Sequence, residues 1–159
     1  ALLYAENSFR KERTKRSGDV VMRITKTFEF SMGHALWNYD GKCHNLHGHN
    51  YSLEITVQAA TLDESGFVMD FGDLKKVVSD IVDTELDHRT LVYENDPRFV
   101  KLVVQLPGVR TFPWEPTAEN LVAYLGLEIA PGLPEGITLA HIKLWETNTS
   151  YAEMSFLTQ

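Results

Sequence analysis

At 159 residues, 43% of them hydrophobic, the chain is long enough for one domain with its own core and needs neither disulfides nor a metal in order to fold. A formal net charge of −7 argues against general nucleic-acid binding, and no apolar run approaches the roughly 18 residues that would suggest a membrane span. A single cysteine cannot form an internal disulfide, and the N-terminus lacks the apolar core of a secretory signal, so a cytoplasmic protein is expected.

Residues 1–21 carry Arg10, Lys11, Arg13, Lys15 and Arg16 without apolar periodicity, ahead of Met22. They predict a solvated arm, with the folded domain over 22–159. Apolar and polar residues roughly alternate from Arg23 to Ser31 and do so more clearly from Tyr51 to Ala59, where Tyr51, Leu53, Ile55 and Val57 share a face. Two strands joined by a cysteine- and histidine-rich loop follow from that pattern. Thr61 to Gly66 reads as a turn, and Asp70-Phe-Gly-Asp73 can cap a helix that carries Leu74, Val77, Val78, Ile81 and Val82 and ends near Leu86. The region from Arg89 to Pro113 reads as irregular, with a short helical turn around Phe99 to Val104. Glu115-Pro-Thr-Ala-Glu119 opens a second helix, with Pro116 in its first turn, that runs to about Ala130 and stops at Pro131-Gly132. Thr138 to Trp145 and Tyr151 to Phe156 are β-rich runs flanking a hairpin turn at 146–150. The order β-β-α-α-β-β predicts an α+β fold, a four-stranded antiparallel sheet with two helices on one face. Its bare face and edges predict a homo-oligomer.

The chemistry concentrates in Lys42-Cys-His-Asn-Leu-His-Gly-His-Asn50. Residues two apart on a strand project from the same side, so His47 and His49 can reach one ion, and Gly48 between them permits close backbone approach. His34, at the end of the first strand, stands across the loop if the strands pair. Three neutral imidazoles with an open fourth position describe a catalytic zinc, whereas Cys43 as fourth ligand would describe a closed structural site; spacing allows both. A lone cysteine is more often a small buried hydrophobe, but the polar setting of Cys43 between Lys42 and His44 is not that of a core residue. His44 reads as solvent-facing and His141 as a satisfied structural histidine. Asp87-His88 is either a polar exit turn or an Asp that fixes its neighbour's tautomer. Glu146, ending a strand whose Ala140, Ile142 and Leu144 are apolar, is either an edge charge or a bidentate acceptor for a planar pair of N–H donors. Glu119 reads as a favourable charge in a helix's first turn.

In order along 23–156, His34, Cys43-His-Asn-Leu-His47-Gly-His49-Asn-Tyr, Gly66-Phe-Val-Met-Asp70-Phe, Leu86-Asp87-His88, Pro116-Thr117-Ala-Glu119-Asn and Lys143-Leu-Trp-Glu146-Thr147 together resemble the 6-pyruvoyl-tetrahydropterin synthase family. The resemblance implies a tunnelling fold (T-fold), with four-stranded sheets assembled into barrels and trimers stacked into a hexamer. It implies Zn2+ held by His34, His47 and His49. A proton-transfer set of Cys43, Asp87 and His88 is also implied, the last two supplied by a neighbouring subunit. Glu146 would anchor the pterin ring, with Thr117 and Glu119 matching positions near it. Within the family, Cys43-x3-His47-x-His49 resembles the bacterial branch that makes 6-carboxytetrahydropterin for queuosine, while the animal enzymes have five residues between Cys and His. A third branch, serving folate synthesis, typically has glutamate at the cysteine position, and Cys43 argues against it. The substrate implied is 7,8-dihydroneopterin triphosphate. Lys42, Arg89 and Lys143 are candidates for its phosphates.

Overall fold

A computed structural model describes residues 21–156; the basic run of the expected arm lies outside the described residues. One mixed sheet of six strands carries the fold, in the order β4-β3-β1-β2-β5-β6. The two long central strands, β1 (Met22–Ala35) and β2 (His47–Ala59), are antiparallel, as their alternation predicts. Phe28, Phe30 and Met32 on β1 and Tyr51, Leu53, Ile55 and Val57 on β2 all turn the same way and are buried. On the other side of β2 lies β5 (Thr138–Thr147), antiparallel and contributing Ile142 and Leu144 to the same layer, followed by β6 (Ser150–Ser155).

The apolar layer is roofed by two helices. Helix α1 (Phe71–Ile81) starts where the Asp70 carboxylate accepts from the Gly72 N–H at 2.6 Å, and it buries Leu74 and Val78. Of the other two, α2 (Leu102–Gln105) is short, while α3 (Ala118–Ile129) starts at Thr117, whose hydroxyl accepts from the Asn120 N–H, and buries Leu121, Val122, Leu125 and Ile129. The opposite face of the sheet is polar, with Thr25 bonded to Thr56 and Ser31 to Asn50 across β1 and β2. Among the described residues no helix is long and apolar enough to cross a membrane.

Four expectations change. The sheet has six strands rather than four, because β3 (Thr90–Tyr93) and β4 (Val109–Phe112) add to it in parallel within the stretch read as irregular. These strands are four residues each, too short to show a period, and a small satellite core of Ala35, Val92, Phe99 and Val109 holds them. The first helix stops being α-helical at Ile81 and loosens into one π-type turn, Val82–Leu86. Pro116 precedes the cap of α3 instead of lying in its first turn, which leaves its carbonyl free for another partner. The hairpin turn is shorter than expected, since β5 runs on through Glu146 to Thr147.

Candidate metal centre

Pairing in register sets His34 directly opposite His47, and Gly33 opposite Gly48. A side chain at Gly48 would meet the Met32 carbonyl at 3.1 Å, and one at Gly33 would meet the Thr90 hydroxyl at 3.1 Å, so at either place a Cβ would push its neighbour back by a few tenths of an ångström. His34, His47 and His49 consequently converge at the end of the core face. Glu146 follows Ile142 and Leu144 on the same face of β5, next to β2, and joins the three histidines.

Two of the imidazoles have fixed tautomers. The Nδ1 atom of His34 lies 2.7 Å from the Pro116 carbonyl, and that of His47 lies 2.8 Å from the Asn45 carbonyl. A carbonyl can only accept, so both Nδ1 atoms carry hydrogen and, in the neutral rings, both Nε2 atoms offer lone pairs. These two Nε2 atoms face each other at 3.1 Å. Glu146 Oε1 stands 3.2 Å from Nε2 of His34 and 3.1 Å from Nε2 of His49, which is buried without a hydrogen-bond partner. Lone pairs and a carboxylate crowded around one point repel unless a positive charge lies among them. The residues therefore fit a metal ion, and the four ligand atoms all lie within 4.8 Å of one another.

The electrostatics agree. The His34 ring beside it holds the Glu146 carboxyl below its usual range against the opposing effect of burial, with His49 and His47 adding to it. Burial lowers the pKa of His49 despite Glu146, and His34 and His47 lower it further, which keeps the ring neutral as a ligand must be.

The remaining predicted residues are distributed around this centre. Cys43 lies outside the ligand group, half-buried in a short 3-10 turn (Lys42–His44) of the loop between β1 and β2. His44, expected to face solvent, is half-buried with its ring 5.9 Å from that of Trp37. Asp87 and His88 follow the π-type turn and are pinned to β1: the Ser31 N–H donates to Asp87 at 2.9 Å and the His88 N–H donates to the Ser31 carbonyl at 2.8 Å. His88 takes a left-handed conformation, φ 56°, and its side chain is 83% exposed, with Nδ1 2.9 Å from the Asp87 carboxylate. Thr117 caps α3, and Glu119 is exposed in its first turn. His141 is satisfied as expected, by Ser155 at 3.0 Å and Glu153 at 3.3 Å. Lys42 is exposed, Arg89 donates to the Thr84 carbonyl, and the Lys143 ammonium sits over Tyr151, 3.8 Å from its ring centroid. Sequence reasoning missed Glu115, Asp96 and Arg98, which hold the Cys43 loop. Only the Asp96-Pro-Arg98 turn spacing hinted at any of them.

Comparison with known proteins gives a consistent picture. The family model described as 6-pyruvoyl tetrahydropterin synthase matches residues 23–155. The chain is 35% identical to the 6-carboxy-5,6,7,8-tetrahydropterin synthase of Rickettsia bellii, over 84% of this chain and all of that protein. It is 37% identical to the protein of the same name from Aquifex aeolicus, over 82% of this chain and 95% of that one. In three dimensions it resembles the Caenorhabditis elegans 6-pyruvoyl tetrahydropterin synthase, with a TM-score of 0.66 and 25% identity over 87% of this chain and 97% of that one.

Proposed function

The chain belongs to the 6-pyruvoyl tetrahydropterin synthase family, and from that premise we propose that it is a zinc-dependent carbon–carbon lyase. Its reaction converts 7,8-dihydroneopterin triphosphate to 6-carboxy-5,6,7,8-tetrahydropterin, releasing acetaldehyde and triphosphate, in the cytoplasmic route to queuosine. The observation that carries this reading is the convergence of His34, His47 and His49 in a chain whose relatives bear that enzyme's name. Tetrahedral zinc with Zn–N bonds of about 2.0–2.1 Å separates its ligand atoms by roughly 3.3 Å, close to the 3.1 Å between the Nε2 atoms of His34 and His47. When bound, zinc supplies a Lewis acid that acidifies the hydroxyls of the substrate side chain.

The chain's own groups do the rest. Cys43 moves a proton on one face of the side chain and His88 on the other. With Nδ1 of His88 donating to Asp87, its Nε2 is left free to take up a proton. The His88 side chain is 83% exposed, as a group serving a neighbouring subunit would be. Assembly is supported by the sheet itself: among the described residues β3 pairs with β1 only at Gly33–Ala35, so most of that edge of β1 and the outer edge of β6 have no partner strand there, as sheets that pair between subunits of a hexamer would require. Glu146 has oxygens to accept the pterin's ring N–H and exocyclic amine, with Thr117 and Glu119 near the ring.

Incubation with 7,8-dihydroneopterin triphosphate tests the proposal. Acetaldehyde together with a carboxypterin mass is the expected result. A product that keeps the three-carbon side chain, without acetaldehyde, would reassign the protein to 6-pyruvoyl-tetrahydropterin synthase activity, the alternative that the family's name favours. No turnover with zinc bound would leave a pterin- or zinc-binding module.

A further inference from the structure

The loop that carries Cys43 buries no side chain between Leu36 and Leu46, so packing does not set its shape. Hydrogen bonds from outside it do. Arg98 grips the buried Asp96 through Nε, at 2.9 and 3.0 Å from the two carboxylate oxygens, and through Nη2. Its remaining reach goes to the loop, with Nη1 donating to the His44 carbonyl and Nη2 to the Leu36 carbonyl at 3.3 Å. The Leu36 N–H donates to the Cys43 carbonyl at 3.0 Å, which closes the loop on itself. The guanidinium also stacks over Trp37, 5.2 Å from its ring centroid.

A second hold comes from Glu115. Its carboxylate accepts from the Trp37 N–H at 2.9 Å, the Asn38 N–H at 2.8 Å and the Asn38 amide at 2.9 Å. The next residue, Pro116, gives its carbonyl to His34 at 2.7 Å. One dipeptide thus ties the thiol loop and a ligand of the metal centre to the same piece of backbone. A buried Arg–Asp pair contributes little to net stability compared with apolar residues of the same volume. A planar guanidinium with directed donors can, however, fix a carbonyl-rich loop that a hydrophobic side chain could not.

We propose that Arg98 and Glu115 are positioning residues that hold Cys43 in place for its part in the reaction. The proposal rests on the reading of Cys43 as a proton carrier, and its test separates the two. Cys43 is the only cysteine, so its rate of reaction with a small aromatic disulfide reports on this loop alone. The zinc-loaded full chain is compared with Arg98→Met, Arg98→Lys and Glu115→Gln for thiol labelling rate, zinc content, kcat and KM. In Arg98→Met and Glu115→Gln, labelling should quicken about fivefold or more as the loop opens. In the same variants kcat should fall about tenfold or more with KM little changed and zinc retained. Arg98→Lys, which keeps the charge but not the fork, should fall between them and wild type. Should Arg98→Met fail to fold, Glu115→Gln carries the test. Labelling and kcat both within twofold of wild type in folded Glu115→Gln would overturn the proposal. Faster labelling with kcat intact would leave the hold on the loop standing and remove Cys43 from the reaction instead.

Discussion

His34 and His47 are direct register partners across β1 and β2, and each donates Nδ1–H to a different backbone carbonyl, Pro116 and Asn45, so that their Nε2 atoms meet 3.1 Å apart. The hairpin brings the rings together and the two carbonyls aim them. Both devices are contacts within the protein rather than bonds to an ion.

Replacing one of these rings should therefore remove the ion without unfolding the domain. His47→Ala is expected to bind less than a tenth of the wild-type zinc, roughly, while keeping its far-ultraviolet circular dichroism. Metal analysis of both purified proteins checks this, and full retention of zinc would sink the ligand assignment.

Cys43→Ala should fold, keep about one zinc per chain and lose most turnover, because the thiol stands outside the ligand group in a loop without buried side chains. Loss of zinc in this variant would make the thiol a ligand. Undiminished activity would take it out of the mechanism.

Glu146 has two possible partners, the ion and the pterin. Glu146→Gln keeps the size but faces the pterin's donors with a donor of its own. We expect a loss of about 2–4 kcal/mol in kcat/KM, on the order of tens to several hundred fold, with zinc unchanged. A large drop in zinc would show the carboxylate to be the fourth ligand. A variant within twofold of wild type would end the anchor role.

The Asp96–Arg98 pair predicts a pH dependence of stability. Burial raises the pKa of Asp96, but the side-chain and backbone hydrogen bonds from Arg98 outweigh it and hold the carboxyl below its ordinary 3.8. A folded pKa below the unfolded one gives stability that is present above the unfolded value and lost as pH falls through the folded one. Asp96→Asn should therefore be less stable than wild type by about 2–4 kcal/mol near neutral pH. The gap should shrink on acidification below 3.8. Urea unfolding at neutral and acid pH measures both, and a gap that stays constant would mean that the carboxylate's charge is not what stabilises.

Residues 1–21 contain no periodic apolar face, and the family match begins at Arg23. A chain starting at Met22 is expected to keep the oligomeric mass and activity of the full chain. Sedimentation and turnover of the two decide, with dissociation into monomers assigning the segment to assembly.

By itself the sequence determined whatever a local period or fixed spacing encodes. Alternation laid out β1, β2 and β5, apolar residues at helical spacing marked α1 and α3, and two histidines separated by one residue had to share a face of a strand. That His34 would meet them followed once the strands were paired. Only the tertiary structure decided the rest. Parallel β3 and β4 are too short to carry a period and exist because β1 offers an edge and Phe99 a satellite core. Alternation puts Glu146 on the face of Ile142 and Leu144, but that the end of this face meets the three histidines was decided by the pairing of β5 with β2. Arg98 and Glu115 reach the Cys43 loop from 54 and 77 or more positions away in the chain. Hydrogen bonds between such distant residues follow from where folding brings backbone carbonyls and N–H groups, which leaves no trace in local residue order.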